Sequence, residues 1–166
     1  MRRGDNMAKA LVTYFSASGV TAAVASRLAK AIEADIFEIK PKVPYSSADL
    51  NYVNPLARCN REKLGRKDVP VEGVVENMAE YDTIYLGFPI WYGIAPNVVQ
   101  TFLKGYNLSG KKIVVFATSG GSRIGKTAEK LRPFIGTAEV VKAQVIPASA
   151  TEGQLKKWAK IEEQRL

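Results

Sequence analysis

Ser16, Ser18 and Thr21 place three hydroxyls within the six residues Ser16-Ala17-Ser18-Gly19-Val20-Thr21. Hydroxyls donate to anions, and Gly19 lets the backbone wrap closely around one. If a helix starts here, its first N–H groups have no intrahelical partner and its dipole turns its positive end toward the loop. The run holds no Lys or Arg. It therefore suits one phosphate monoester held by neutral donors better than a polyphosphate. The plainer alternative is that Ser18 only caps an ordinary helix.

Two further stretches carry chemical potential. Gly87-Phe88-Pro89-Ile90-Trp91-Tyr92-Gly93 sets two large aromatics between a proline and a glycine. At a rim, they would stack on a planar apolar ligand; the alternative is that both rings are core. The third stretch is Thr118-Ser119-Gly120-Gly121-Ser122, and Gly120 to Thr127 satisfies the Walker A pattern G-x-x-x-x-G-K-T. A nucleoside triphosphatase is thus a competing reading. Against it, a Walker B strand should end in Asp to hold magnesium, whereas the strands read here end in Lys40, Phe88, Thr118 and Ile146 or Pro147.

The elements that must position these stretches follow from periodicity. Leu11 to Phe15 reads as a buried strand, and Val20, Val24, Leu28, Ala31 and Ile32 recur at helical spacing through Val20 to Glu33. A second strand is expected at Ala34 to Lys40 and a short helix at Val71 to Met78. The third strand is Asp82 to Phe88, the next helix Pro96 to Leu103, and the fourth strand Lys111 to Thr118. Thr127 to Leu131 lies on a helix, and Glu139 to Ile146 forms the fifth strand. Thr151 and Gln154 read as a capping box for a last helix burying Leu155, Trp158 and Ile161. Alternating strands and helices predict an α/β fold: a doubly wound, five-stranded parallel sheet of order 2-1-3-4-5 with helices on both faces. In such a sheet the ligand sits beyond the carboxyl ends of the strands, at the switch point between strands 1 and 3. The three chemically rich stretches all fall at those ends.

Composition narrows the classes. With 166 residues and 46% hydrophobic content, one domain with a sizeable core is expected over residues 7–166, preceded by a disordered extension at 1–6. No apolar run approaches the ~20 residues that span a bilayer, so no membrane insertion is expected. There is no histidine, which removes Ser–His and Cys–His catalysis and histidine metal sites. Cys59 is the only cysteine, so no intrachain disulfide forms and a cytoplasmic location is the simple inference. No metal site and no catalytic acid–base residue is expected. The net charge is +8, yet no basic patch interleaved with aromatics suggests nucleic acid. Arg58 to Lys67, in the long stretch Tyr45 to Asp68, reads as a solvated basic loop; the alternative is that it draws in an anionic cosubstrate or partner.

In combination the three stretches resemble the flavodoxin family, and in particular a short-chain flavodoxin-like subfamily, from Ala8 to about Ile146. Ser16 to Thr21 resembles the hydroxyl-rich loop that holds the phosphate of flavin mononucleotide (FMN). Pro89, Ile90, Trp91, Tyr92 and Gly93 resemble the isoalloxazine loop, and Thr118, Ser119, Gly120, Gly121 and Ser122 the loop whose backbone edges the ring. The resemblance implies non-covalent FMN and electron transfer or oxidoreduction, with a redox partner protein or a small-molecule electron acceptor. Pro-aromatic-Gly also resembles the NAD(P)H:quinone oxidoreductases of this fold, so an NAD(P)H-dependent FMN enzyme is the alternative, with a homodimer left open. A flavin-binding module without turnover is a third reading. The +8 charge departs from the acidic habit of flavodoxin carriers. A response regulator of the same fold would need an Asp where Phe88-Pro89 stands, and a low-molecular-weight phosphatase a Cys near Ser16 to Thr21.

Overall fold

The computed structural model describes residues 9–43, 69–90, 95–118 and 124–164, and the side chains of these as far as residue 159. The strands are β1 (Ala10–Tyr14), β2 (Asp35–Glu38), β3 (Lys40–Pro41), β4 (Val71–Glu72), β5 (Thr83–Pro89), β6 (Lys112–Thr118) and β7 (Glu139–Val145). The helices are α1 (Val20–Ile32), α2 (Asn97–Lys104), α3 (Thr127–Ile135) and α4 (Glu152–Gln164). Five strands form one sheet in the order β2-β1-β5-β6-β7, every neighbouring pair parallel. Numbering these five strands alone gives the expected 2-1-3-4-5.

The sheet is covered on both sides, and strand alternation explains how. Leu11 and Phe15 of the first strand region, Ile84, Leu86 and Phe88 of β5, and Ile113 and Val115 of β6 pack with Val98, Val99, Phe102 and Leu103 of α2 and Leu131 and Ile135 of α3. The intervening residues Val12, Tyr14, Tyr85, Val114 and Phe116 face Val24, Ala25 and Leu28 of α1 and Leu155, Trp158 and Ala159 of α4. A strand apolar on both faces must be covered twice, which is why β5 reads as an almost continuous hydrophobic run.

The ends of the elements are set by local chemistry. Glu33 closes α1 in the left-handed conformation, φ 55°. At α4 the capping box is formed in both directions: Thr151 N–H donates to Gln154 Oε1 at 2.9 Å, and Gln154 N–H to Thr151 Oγ1 at 3.1 Å. Pro96 stands just before α2 rather than inside its first turn.

Three expectations are corrected. The second strand is shorter than Ala34 to Lys40: it is confined to Asp35–Glu38, and after Ile39 the chain enters β3. Pro41 pairs with Val71 across an antiparallel two-stranded ladder. The helix expected over Val71 to Met78 does not form. Val71–Glu72 is β4, Gly73 turns the chain at φ 79°, and only Met78–Glu80 makes a 3-10 turn. The spacing Val71, Val74, Val75, Met78 mimics a helical stripe, but Val74 is exposed. A glycine at positive φ and a pairing with β3 outweigh that pattern. Val20, expected on the buried stripe of α1, is also exposed, at 41%. It is the first residue of α1, ahead of the turns that pack on the sheet.

Candidate functional site

The carboxyl ends of β1, β5 and β6 meet at the edge of the sheet where the strand order reverses. Tyr14 is level with Gly87, and Pro89 with Thr118. Phe15 N–H donates to Gly87 carbonyl at 3.0 Å, which carries the β1–β5 pairing one residue further toward the first loop.

The first loop closes on itself before α1 begins. Ser16 Oγ accepts from Gly19 N–H at 3.0 Å, so the serine's own proton points elsewhere. Gly19 occupies the N-cap position at φ 96°, a conformation that glycine adopts without cost. No side chain caps α1, and Ser18 does not play that part. The first turn of α1 thus begins without a side-chain cap, at the end of the helix where the dipole is positive. Ser18, Gly19 and Val20 are exposed, and Ser16 and Ala17 half-buried. Among the described residues, and leaving aside Gly19 and its two chain neighbours, no heavy atom lies within 4 Å of where a Gly19 Cβ would stand.

Thr21 differs from its neighbours. It is only 2% exposed, and its Oγ1 lies 2.7 Å from Thr118 Oγ1, on the last residue of β6, itself 4% exposed. The Thr118 carbonyl also accepts from Ile90 N–H at 3.0 Å. Thr118 therefore links the end of the first loop, by its hydroxyl, to the start of the second, by its carbonyl, and to the third by chain continuity. Pro89 is half-buried at the end of β5, and Ile90 is buried behind it. Trp91, Tyr92 and Gly93 of the second loop, and Ser119, Gly120, Gly121 and Ser122 of the third, lie outside the described residues, as do Cys59, the segment Arg58 to Lys67 and the expected extension at 1–6.

A cavity of about 220 Å³ opens on the other side of the first loop, lined by Phe15, Ser16, Ala17, Glu38, Lys40 and Glu72 among others. Its acidic and basic members come from β2, β3 and β4. They were not anticipated from sequence, because the helix expected at Val71 conceals the strand that brings Glu72 here. At the end of β1, burial and then the neighbouring Glu38 carboxylate hold the Tyr14 phenol above its ordinary pKa.

The Walker-like segment is built differently from a phosphate-binding loop where it is described. Thr127 is fully buried, and its hydroxyl donates back to the Ile124 carbonyl instead of standing free for a metal. Lys126 is exposed, immediately before α3. Among the described residues, no helix is long and apolar enough to cross a membrane.

The fold and the loops at its switch point define a class, doubly wound α/β proteins with a ligand edge at the ends of β1, β5 and β6. A sequence model described as Flavodoxin matches residues 9–162. A candidate flavoprotein from Bacteroides eggerthii is 35% identical, with 95% of this chain and 99% of that one aligned and a TM-score of 0.85. A second, from Bacteroides uniformis, is 35% identical over 92% of this chain and 98% of that one, with a TM-score of 0.83. A flavoprotein from Lactobacillus acidophilus, solved in complex with FMN, is 23% identical over 92% and 99%, with a TM-score of 0.68. No curated protein matches the chain. The chain belongs to the flavodoxin family.

Proposed function

We propose that the chain binds FMN without a covalent bond and works as a redox protein, passing electrons to a partner protein or a small-molecule acceptor. The observation that carries this reading is the mouth of α1: an uncapped helix start behind an exposed, hydroxyl-bearing loop whose glycine leaves open space. A phosphate monoester fits that donor set, which consists of neutral hydroxyls and backbone N–H groups with no cation among them. The flavoprotein from Lactobacillus acidophilus is described with FMN bound, which supports the same cofactor here.

In this reading Ser16, Ala17, Ser18, Gly19, Val20 and Thr21 hold the phosphate. Pro89 to Gly93 and Thr118 to Ser122 are the segments assigned to the ring. FMN when bound supplies one- or two-electron chemistry, and the protein supplies binding and electrostatics. The folded turn holds the Ser16 hydroxyl beside the start of α1 through the bond it accepts from Gly19 N–H. Ile90 and Thr118 are buried where the second and third loops begin, which keeps water from the ends of β5 and β6. No acid–base side chain is required, in keeping with a chain that lacks histidine.

A second reading, an NAD(P)H-dependent FMN oxidoreductase of the quinone-reducing kind, is favoured by charge. The net charge is +8, and neither Pro89 to Gly93 nor Thr118 to Ser122 contains a carboxylate. A P-loop nucleotide-binding function is disfavoured by the buried Thr127 hydroxyl. The deciding experiment is to load the purified protein with FMN, record its visible spectrum, and add NADPH without air. A yellow protein unchanged by NADPH supports the electron carrier; bleaching at a catalytic rate supports the reductase. Failure to take up FMN sinks both.

A further inference from the structure

Resting on the FMN reading, we propose that Thr118 is a positioning residue for the phosphate: its hydroxyl donates to Thr21 Oγ1 and so leaves the Thr21 proton available to an anion in the first loop. Two buried hydroxyls 2.7 Å apart share one hydrogen bond, and either oxygen can be its donor. The two directions are not equivalent for an anion. If Thr21 donates to Thr118, Thr21 turns only lone pairs outward and repels negative charge. If Thr118 donates, Thr21 accepts that proton and keeps its own for the anion, polarised by the bond behind it. A phosphate at the loop selects the second arrangement.

The fold keeps Thr118 in place for this part. It ends β6, a strand paired on both sides, and its carbonyl is held by Ile90 N–H at 3.0 Å. Thr21 sits on the second residue of α1, in the turn whose N–H groups lack a side-chain cap. The link spans 97 residues of sequence and joins the phosphate loop to the strand that carries the third loop.

The test uses FMN and riboflavin, which differ only in the phosphate. Thr118→Val keeps the shape and the β-branched form and removes the hydroxyl. It is expected to weaken FMN by about twofold to fourfold, because the Thr21 bond to the phosphate loses the polarisation behind it but not its proton, while riboflavin affinity changes far less. Thr118→Ser, which restores the donor, is expected to return FMN affinity toward wild type. In a Thr21→Val background, Thr118→Val is expected to leave the FMN-to-riboflavin ratio unchanged, because the residue through which it acts is gone. Should Thr118→Val fold poorly, Thr118→Ala takes its place in the same comparison. Equal loss for both ligands, or a Thr118 effect that persists unaltered in the Thr21→Val background, overturns the proposal while leaving FMN binding intact. A wild-type protein that binds neither ligand overturns the FMN reading and this proposal with it.

Discussion

The ring of Phe116 occupies the space that a side chain on Gly87 would need. The two residues face each other across the β5–β6 ladder, and a Cβ built on Gly87 would overlap the ring's Cζ and Cε2. Phe116 is fully buried among the residues facing α1 and α4, so it has nowhere to retreat. Gly87 also presents its carbonyl to Phe15 N–H, the bond that leads into the first loop. Gly87→Ala is therefore expected to destabilise the protein by about 1–3 kcal/mol through overpacking. Urea unfolding midpoints measure this, and a Gly87→Ala protein as stable as wild type would show that the ring moves freely.

The Ser16 hydroxyl both folds the first loop and has a proton to give. Ser16→Ala is expected to lower FMN affinity by roughly 1.5–3 kcal/mol, the range for a hydrogen bond to a charged group. Riboflavin, without the phosphate, is expected to lose only what the loosened turn costs. Calorimetric titration with both ligands checks this, and an equal loss would move the phosphate away from this loop.

Lys126 is exposed and precedes a helix whose first threonine is turned inward. Lys126→Ala is expected to leave FMN affinity within about twofold of wild type, as for most surface substitutions. Magnesium-dependent ATP hydrolysis that disappears in this variant would instead restore the triphosphatase reading.

Alkaline pH is expected to weaken the fold through Tyr81. Burial, and then its hydrogen bond to Asp35, raise the phenol's pKa; its hydroxyl lies 2.6 Å from Asp35 Oδ2. The folded state therefore keeps this proton to a higher pH than the unfolded chain does. The resulting stability is complete below the unfolded value, about 10, and is lost as pH rises through the folded one. Tyr81→Phe removes the group, so the fall in urea midpoint between neutral and strongly alkaline pH is expected to be shallower in the variant. Parallel curves would count against the assignment.

The carboxylate-free loops bear on electron number. Opposite charges ~10 Å apart near a protein surface attract by on the order of 1–2 kcal/mol at an effective dielectric of about 20, and each kcal/mol shifts a one-electron potential by about 43 mV. With a net charge of +8, the negative charge of the fully reduced cofactor is expected to be disfavoured less than in an acidic carrier. An anaerobic reductive titration of FMN-loaded protein is expected to run to completion in one two-electron phase. Two well-separated one-electron phases would assign the chain to the carriers.

The sequence by itself determined the strand–loop–helix units, their order in the sheet and the capping box at Thr151. The units and the cap depend on short-range periodicity and on contacts a few residues apart, and the order follows from the right-handed crossovers that join parallel strands. It also marked the hydroxyls of Ser16 and Ser18, which stand exposed or half-buried at the helix mouth. Tertiary structure decided the rest. Thr21 and Thr118 were each marked from their own loops, yet their pairing depends on a strand crossing that brings residues 97 positions apart to 2.7 Å. Val71–Glu72 became a strand because Lys40–Pro41 lies alongside it, a partner that no local pattern names. Lys111 is buried just before β6 with its ammonium donating to the Tyr81 carbonyl at 2.6 Å, although nothing in its sequence neighbourhood sets it apart from the surface lysines. Periodicity shows which face of an element is apolar; only packing shows what stands opposite it.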